Sequence, residues 1–131
     1  PRSETGQVST PETAVKAKIK AALKQRNIYF FMPATHGYGS SGTPDIVGLW
    51  NKLFIGVEVK AGRGKPTALQ IKNLRQIRDD GGAAILVDET GIGMFTLLLS
   101  TWAAYGPEFG RFYNMTKHDD IDLDINKIET D

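Results

Sequence analysis

The order of local signals along these 131 residues predicts an α/β fold in which a mixed sheet is flanked by helices. Three observations carry that reading. A helical apolar stripe opens the chain, two strands joined by a two-residue turn occupy its middle, and a second helix precedes the apolar run Ala83-Ala84-Ile85-Leu86-Val87. A strand that is apolar at every position is buried on both faces, as happens beside a helix crossover. The expected element order is therefore helix, strand, strand, strand, helix, strand.

Residues 1–8 are polar and aperiodic and read as a disordered or appended tail outside the fold. Ser9-Thr10-Pro11-Glu12 supplies capping hydroxyls, a proline suited to a first turn and an early acid, so a helix is expected from there to about residue 25 or 27. Val15, Ile19, Ala22 and Leu23 form its apolar stripe, and Lys16, Lys18, Lys20 and Lys24 fall mostly off it. Glu12 lies three residues before Val15 and so belongs on the core side, an unusual place for an acid. It is either the acid of a capping box with Ser9 or a carboxylate reaching a site in the core.

Ile28-Tyr29-Phe30-Phe31-Met32 reads as a buried strand ended by Pro33. Residues 34–43 are too rich in Gly and Ser for regular structure and are expected to be a mobile loop, with His36 and Tyr38 as candidates for contact with a phosphate or a base. Two runs of β-branched and aromatic residues then flank Asn51-Lys52, the pattern of a tight hairpin. With those two residues at the turn, Trp50 faces Leu53, and counting outward puts Asp45 opposite Glu58. Opposed residues share a face with Cβ atoms about 5 Å apart, and Lys60, two positions beyond Glu58, joins them there. Two carboxylates are thus expected together among Ile46, Val47, Leu49, Phe54, Val57 and Val59. They repel, and desolvation adds to the cost. The compensating cation is either Lys60, in a structural ion-pair cluster, or a hard divalent ion such as Mg²⁺.

Beyond the hairpin, residues 61–66 form a basic turn whose Arg63 and Lys65 either meet phosphate or are solvated turn residues. A helix is expected over residues 67–79, stopped by Gly81-Gly82, with Gln70, Leu74 and Ile77 inward and Lys72, Arg75 and Arg78 outward. Lys72 and Arg75 are further candidates for contact with nucleic acid. Thr67-x-x-Gln70 is a capping box, which alone would account for the amide. Residues 94–105 suit a short helix or a strand, with Trp102 as an anchor that covers the core edge or mediates association; Pro107 and Gly110 break it. Residues 117–131 are open to three readings: strand, docking tail or disorder. Asp119, Asp120, Asp122 and Asp124 invite a calcium loop, but its glycine and closing glutamate are misplaced. The division is a tail at 1–8, a core at 9–88, and an extension at 89–131 that is a candidate for dimerisation and ends in an acidic tail.

Composition bounds the function. No apolar run approaches the ~20 residues of a membrane helix, no signal peptide opens the chain, and the expected protein is soluble and cytoplasmic. There is no cysteine, which excludes disulfides and Cys-ligated zinc or iron–sulfur centres. The net charge of +1 hides a division: residues 1–87 hold 13 Lys and Arg against 6 Asp and Glu, and residues 88–131 hold 3 against 9. A basic body with an acidic extension suits a nucleic-acid binder.

Pro44-Asp45, twelve residues and then Glu58-Val59-Lys60 resembles the signature of the PD-(D/E)xK nuclease superfamily. Within it, the runs Gly42-Thr43-Pro44-Asp45-Ile46-Val47-Gly48 and Gly56-Val57-Glu58-Val59-Lys60, followed by Thr67-Ala68-Leu69-Gln70, resemble the VRR-NUC family of phage proteins and repair nucleases. The resemblance spans about residues 11 to 88. It implies a restriction-endonuclease-like αβββαβ core and a Mg²⁺- or Mn²⁺-dependent deoxyribonuclease. Asp45, Glu58 and the Val59 carbonyl would hold the metal, with Glu12 completing its shell. Lys60 would orient water or stabilise the transition state, and Gln70 would hold Lys60 or the attacking water. Compact relatives of this type resemble dimeric junction resolvases, which implies branched DNA as substrate and a homodimer as the working unit. The rival class is a non-catalytic nucleic-acid-binding module that uses the charged cluster structurally.

Overall fold

The computed structural model describes residues 10–34 and 42–125. Its order is α1 (Pro11–Gln25), β1 (Tyr29–Phe31), β2 (Ile46–Trp50), β3 (Leu53–Val59), α2 (Ala68–Asp79), β4 (Ala83–Val87), α3 (Ile92–Tyr105) and β5 (Arg111–Met115). The hairpin sets the frame. Asn51 and Lys52 both take positive φ, 51° and 73°, as the mirror-image turn of a two-residue hairpin requires. That turn pairs Trp50 with Leu53 and Ile46 with Val57. β1 adds antiparallel to β2 on one side, while β4 and β5 add parallel on the other, giving a five-stranded mixed sheet in the order β1-β2-β3-β4-β5.

Strand alternation divides this sheet into two faces. One carries Ile46, Leu53, Ile55, Val57, Val59, Ile85 and Val87 and is covered by α1 and α3 in the larger core. The α1 stripe is buried as its spacing requires, through Val15, Ile19, Ala22 and Leu23. From α3, Phe95, Leu99 and Trp102 enter the same core, where the Trp102 ring stacks on Trp50 and meets Tyr113 edge-on at centroid distances of 6.5 and 6.1 Å. The opposite face is covered by α2 through Leu74, packed with Ala84, Leu86 and Leu123. Gly56 is what lets α2 lie close over β3, since a Cβ there would sit 2.6 Å from Ile77 Cδ1.

Four expectations change. The segment read as a buried strand is the sheet's edge: Ile28 is buried but Tyr29 and Phe31 stand open, because α2 does not extend over β1. Leu49 and Phe54 on the same face are also exposed and do not enclose the carboxylates. Arg75, expected outward, is buried, and its guanidinium donates to the Leu123 carbonyl at 3.4 Å. Arg78 is also covered in part, bridging Asp79 and Asp124. The cause is common to both arginines: the chain after β5 returns across α2. That segment docks by burying Leu123, so residues 116–125 are a docking tail, and α3 and β5 are built into the sheet and core that the earlier elements begin. Among the described residues, no helix is long and apolar enough to cross a membrane.

Candidate active site

Asp45 immediately precedes β2, and the hairpin register carries it across from Glu58. The pair is locked by backbone: Asp45 Oδ2 accepts the Val59 N–H at 2.8 Å. Glu58 is 2% exposed on the α2 face of β3. Its Oε2 accepts from Gln70 Nε2 at 2.9 Å and lies 3.7 Å from Lys60 Nζ, while its Oε1 is buried and receives no hydrogen bond from a donor group. Gln70 satisfies both of its readings at once. Its Oε1 accepts the Thr67 N–H at 2.9 Å, closing the capping box at the start of α2, and its other end holds Glu58. Its partner is therefore the carboxylate rather than Lys60.

Burial pushes the Glu58 carboxyl from its ordinary 4.5 up to about 8; the charge and hydrogen bonding of Asp45 and the charge of Glu12 add to the rise, and Lys60 opposes it. At neutral pH the metal-free site therefore keeps a proton on Glu58. Glu12 sits in the first turn of α1, half-buried. The N-cap of that helix is Thr10, whose hydroxyl accepts from the Thr13 N–H at 3.0 Å, so Glu12 does not stand at the capping-box position of this cap; Ser9 lies outside the described residues. A cleft of about 380 Å³ lined by Thr10, Pro11, Glu12, Ala61 and Gly62 separates the start of α1 from the turn beyond Lys60.

The donor chemistry suits a hard divalent cation. Two carboxyl groups face each other, one buried oxygen receives no donor, and the Val59 backbone is fixed beside them. Among the described residues no three Asp, Glu, His or Cys side chains gather as a metal-ligating group, and the charge of Glu12 is felt at Glu58.

Periodicity placed Lys16 among the outward lysines, yet its Nζ lies 3.7 Å from Asp45 Oδ1. The signal for it is its spacing: Lys16 follows Glu12 by four residues, so both rise from one face of α1. A second cluster was also missed. Asp88, just past β4 and 1% exposed, accepts from the hydroxyl and N–H of Thr90 and from the N–H and ammonium of Lys117. Burial alone would raise its carboxyl, but these bonds outweigh that and hold it at about 2. Lys117 also bonds Glu89 and the Gly62 carbonyl, and Glu89 accepts the Gly62 N–H, so this cluster anchors the turn after Lys60.

Of the residues expected to meet nucleic acid, Arg63 and Lys72 are exposed. Lys65 is exposed and paired with Asp120 at 2.9 Å. Arg75 is turned into the fold and is not part of an exposed basic face, while His36 and Tyr38 lie outside the described residues. Neither a scan against protein-family models nor a search of curated proteins finds a match to this chain.

Proposed function

We propose that the protein is a metal-dependent endonuclease of the PD-(D/E)xK type, hydrolysing phosphodiester bonds in DNA. The observation that carries this is the opposed pair itself: Asp45 and Glu58 are brought face to face at the end of the hairpin, Glu58 is buried with its titration pushed up to about 8, and an ammonium lies beside it. A purely structural cluster has no need to hold two like charges together, since their repulsion and the burial of one of them cost stability that a bound cation offsets. Asp45, Glu58 and the Val59 carbonyl would hold Mg²⁺ or Mn²⁺. Such an ion supplies, when bound, acidification of water and neutralisation of charge on the phosphate. Lys60, just beyond β3, would orient water or offset charge on the pentacoordinate phosphorus of the transition state. Gln70 keeps Glu58 in one rotamer and so acts as a positioning residue.

Branched DNA and a homodimer remain part of this reading. A two-fold assembly presents one site to each of two strands of a four-way junction. The α3 contribution to that assembly is reduced to its outer residues Met94, Leu97 and Tyr105, because its larger side chains are used in the core. The competing reading, a binding module, is favoured by the Lys60–Glu58 and Lys16–Asp45 ion pairs, which already neutralise the cluster in part. Incubation with linear, flapped and four-way DNA, with Mn²⁺ or EDTA, separates them. Strand scission only with metal, fastest on the junction, is expected; salt-sensitive binding without scission under any metal would leave the binding module.

A further inference from the structure

We infer that Lys16 is a phosphate-holding residue of this site, parked on Asp45 until a divalent cation takes its place. The inference rests on the proposed nuclease reading and adds a residue and an exchange to it. The two carboxylates each have their own ammonium, Lys60 for Glu58 and Lys16 for Asp45, both at 3.7 Å. That separation is too long for a hydrogen bond, so each contact is held by charge alone. The two lysines differ in freedom. The Lys60 side chain is 14% exposed on the strand next to its partner, whereas the Lys16 side chain is 24% exposed and reaches over from α1.

Asp45 Oδ2 already accepts the Val59 N–H, so Oδ1, the atom facing Lys16, is the less encumbered oxygen to offer to a metal. A cation bound there and the Lys16 ammonium cannot both remain on Oδ1 without strong repulsion. Lys16 then turns outward from the end of the sheet, on the α1 face that also carries Glu12 four residues earlier. A DNA phosphate seated there would meet it as a direct cationic contact. In the absence of metal, the same lysine balances the charge of Asp45.

The test uses the full chain and three proteins: wild type, K16M and K16R. Titration calorimetry with Mn²⁺ alone should show K16M binding about three- to tenfold tighter than wild type, because a competing cation is gone. Fluorescence anisotropy with a labelled four-way DNA in Ca²⁺ should show weaker binding by K16M. Its dependence of log affinity on log salt should be shallower by about 0.9, the loss of one phosphate contact, with K16R restoring the slope. Thermal melting confirms that K16M is folded, as expected for a side chain at the surface of α1. Unchanged Mn²⁺ affinity or an unchanged salt slope would overturn the inference while leaving the nuclease reading standing. Failure of the wild type to bind Mn²⁺ at all would overturn both.

Discussion

Replacing Glu58 by glutamine isolates the least comfortable group in the protein. In the metal-free fold its carboxyl titrates at about 8 against an ordinary 4.5, so between those values the folded chain holds a proton that the unfolded chain has lost. Stability therefore falls as pH rises through that window, and the loss is complete above pH 8. At ~1.4 kcal/mol per pH unit the whole window corresponds to about 5 kcal/mol; side-chain relaxation and water entry bring the expected loss to about 2–4 kcal/mol. E58Q cannot ionise, and its amide oxygen still accepts from Gln70. It should match wild type within about 1 kcal/mol at pH 5 and exceed it by about 2–4 kcal/mol at pH 9. Urea unfolding in EDTA, followed through Trp50 and Trp102, measures both curves. Adding Mn²⁺ at pH 8 should stabilise the wild type by mass action and leave E58Q unmoved. A wild type that gains stability relative to E58Q between pH 5 and pH 9 would show that Glu58 is ionised and paired with Lys60, and the metal-site reasoning would fail.

K60A should nearly eliminate strand scission yet keep Mn²⁺ binding measurable by calorimetry, since an ammonium is no metal ligand; joint loss of both would mark Lys60 as structural. D88N should lose about 2 kcal/mol at pH 7, because its one remaining oxygen can accept from Thr90 or from Lys117 but not from both, and the charge facing Lys117 is gone. Because the Asp88 carboxyl is lowered, its contribution is complete above pH 3.8 and fades as pH falls towards 2, so the gap between D88N and wild type in urea midpoint should close over that range. L123A should cost about 2–3 kcal/mol by opening a cavity against Leu74, Ala84 and Leu86; a change below 0.5 kcal/mol would mean the tail only rests on α2.

The hairpin was legible because its information is local: the turn residues set the register, and the register sets which carboxylates meet. The α1 stripe was legible for the same reason, its four inward residues falling at helical spacing. Gln70 admitted two readings, and one side chain with two functional ends meets both. What lay beyond reach was created by distant chain. Helical periodicity divides α2 into faces, but nothing near Arg75 says that Leu123, 48 residues on, lies over the outer one. β5 reads Arg-Phe-Tyr-Asn-Met, with a weak apolar pattern, and is a strand because β4 offers it an edge. Lys16 fell between rules: it adjoins the stripe by one position and Glu12 by four, and only the placement of Asp45 decides which matters.

The docking of Leu123 also has a place in time. The hairpin and both helices that flank it are complete in sequence by residue 79, but the small core beneath α2 waits for a residue 37 positions after Leu86. At ~5–20 residues per second of synthesis, roughly 2 to 7 s separate the two side chains. During that interval Leu74 and Leu86 lack the Leu123 side chain, Arg75 lacks the Leu123 carbonyl, and Arg78 has Asp79 but not yet Asp124. A nascent chain stalled between residues 90 and 118 should therefore bind polyanions and hydrophobic dyes more strongly than the finished protein.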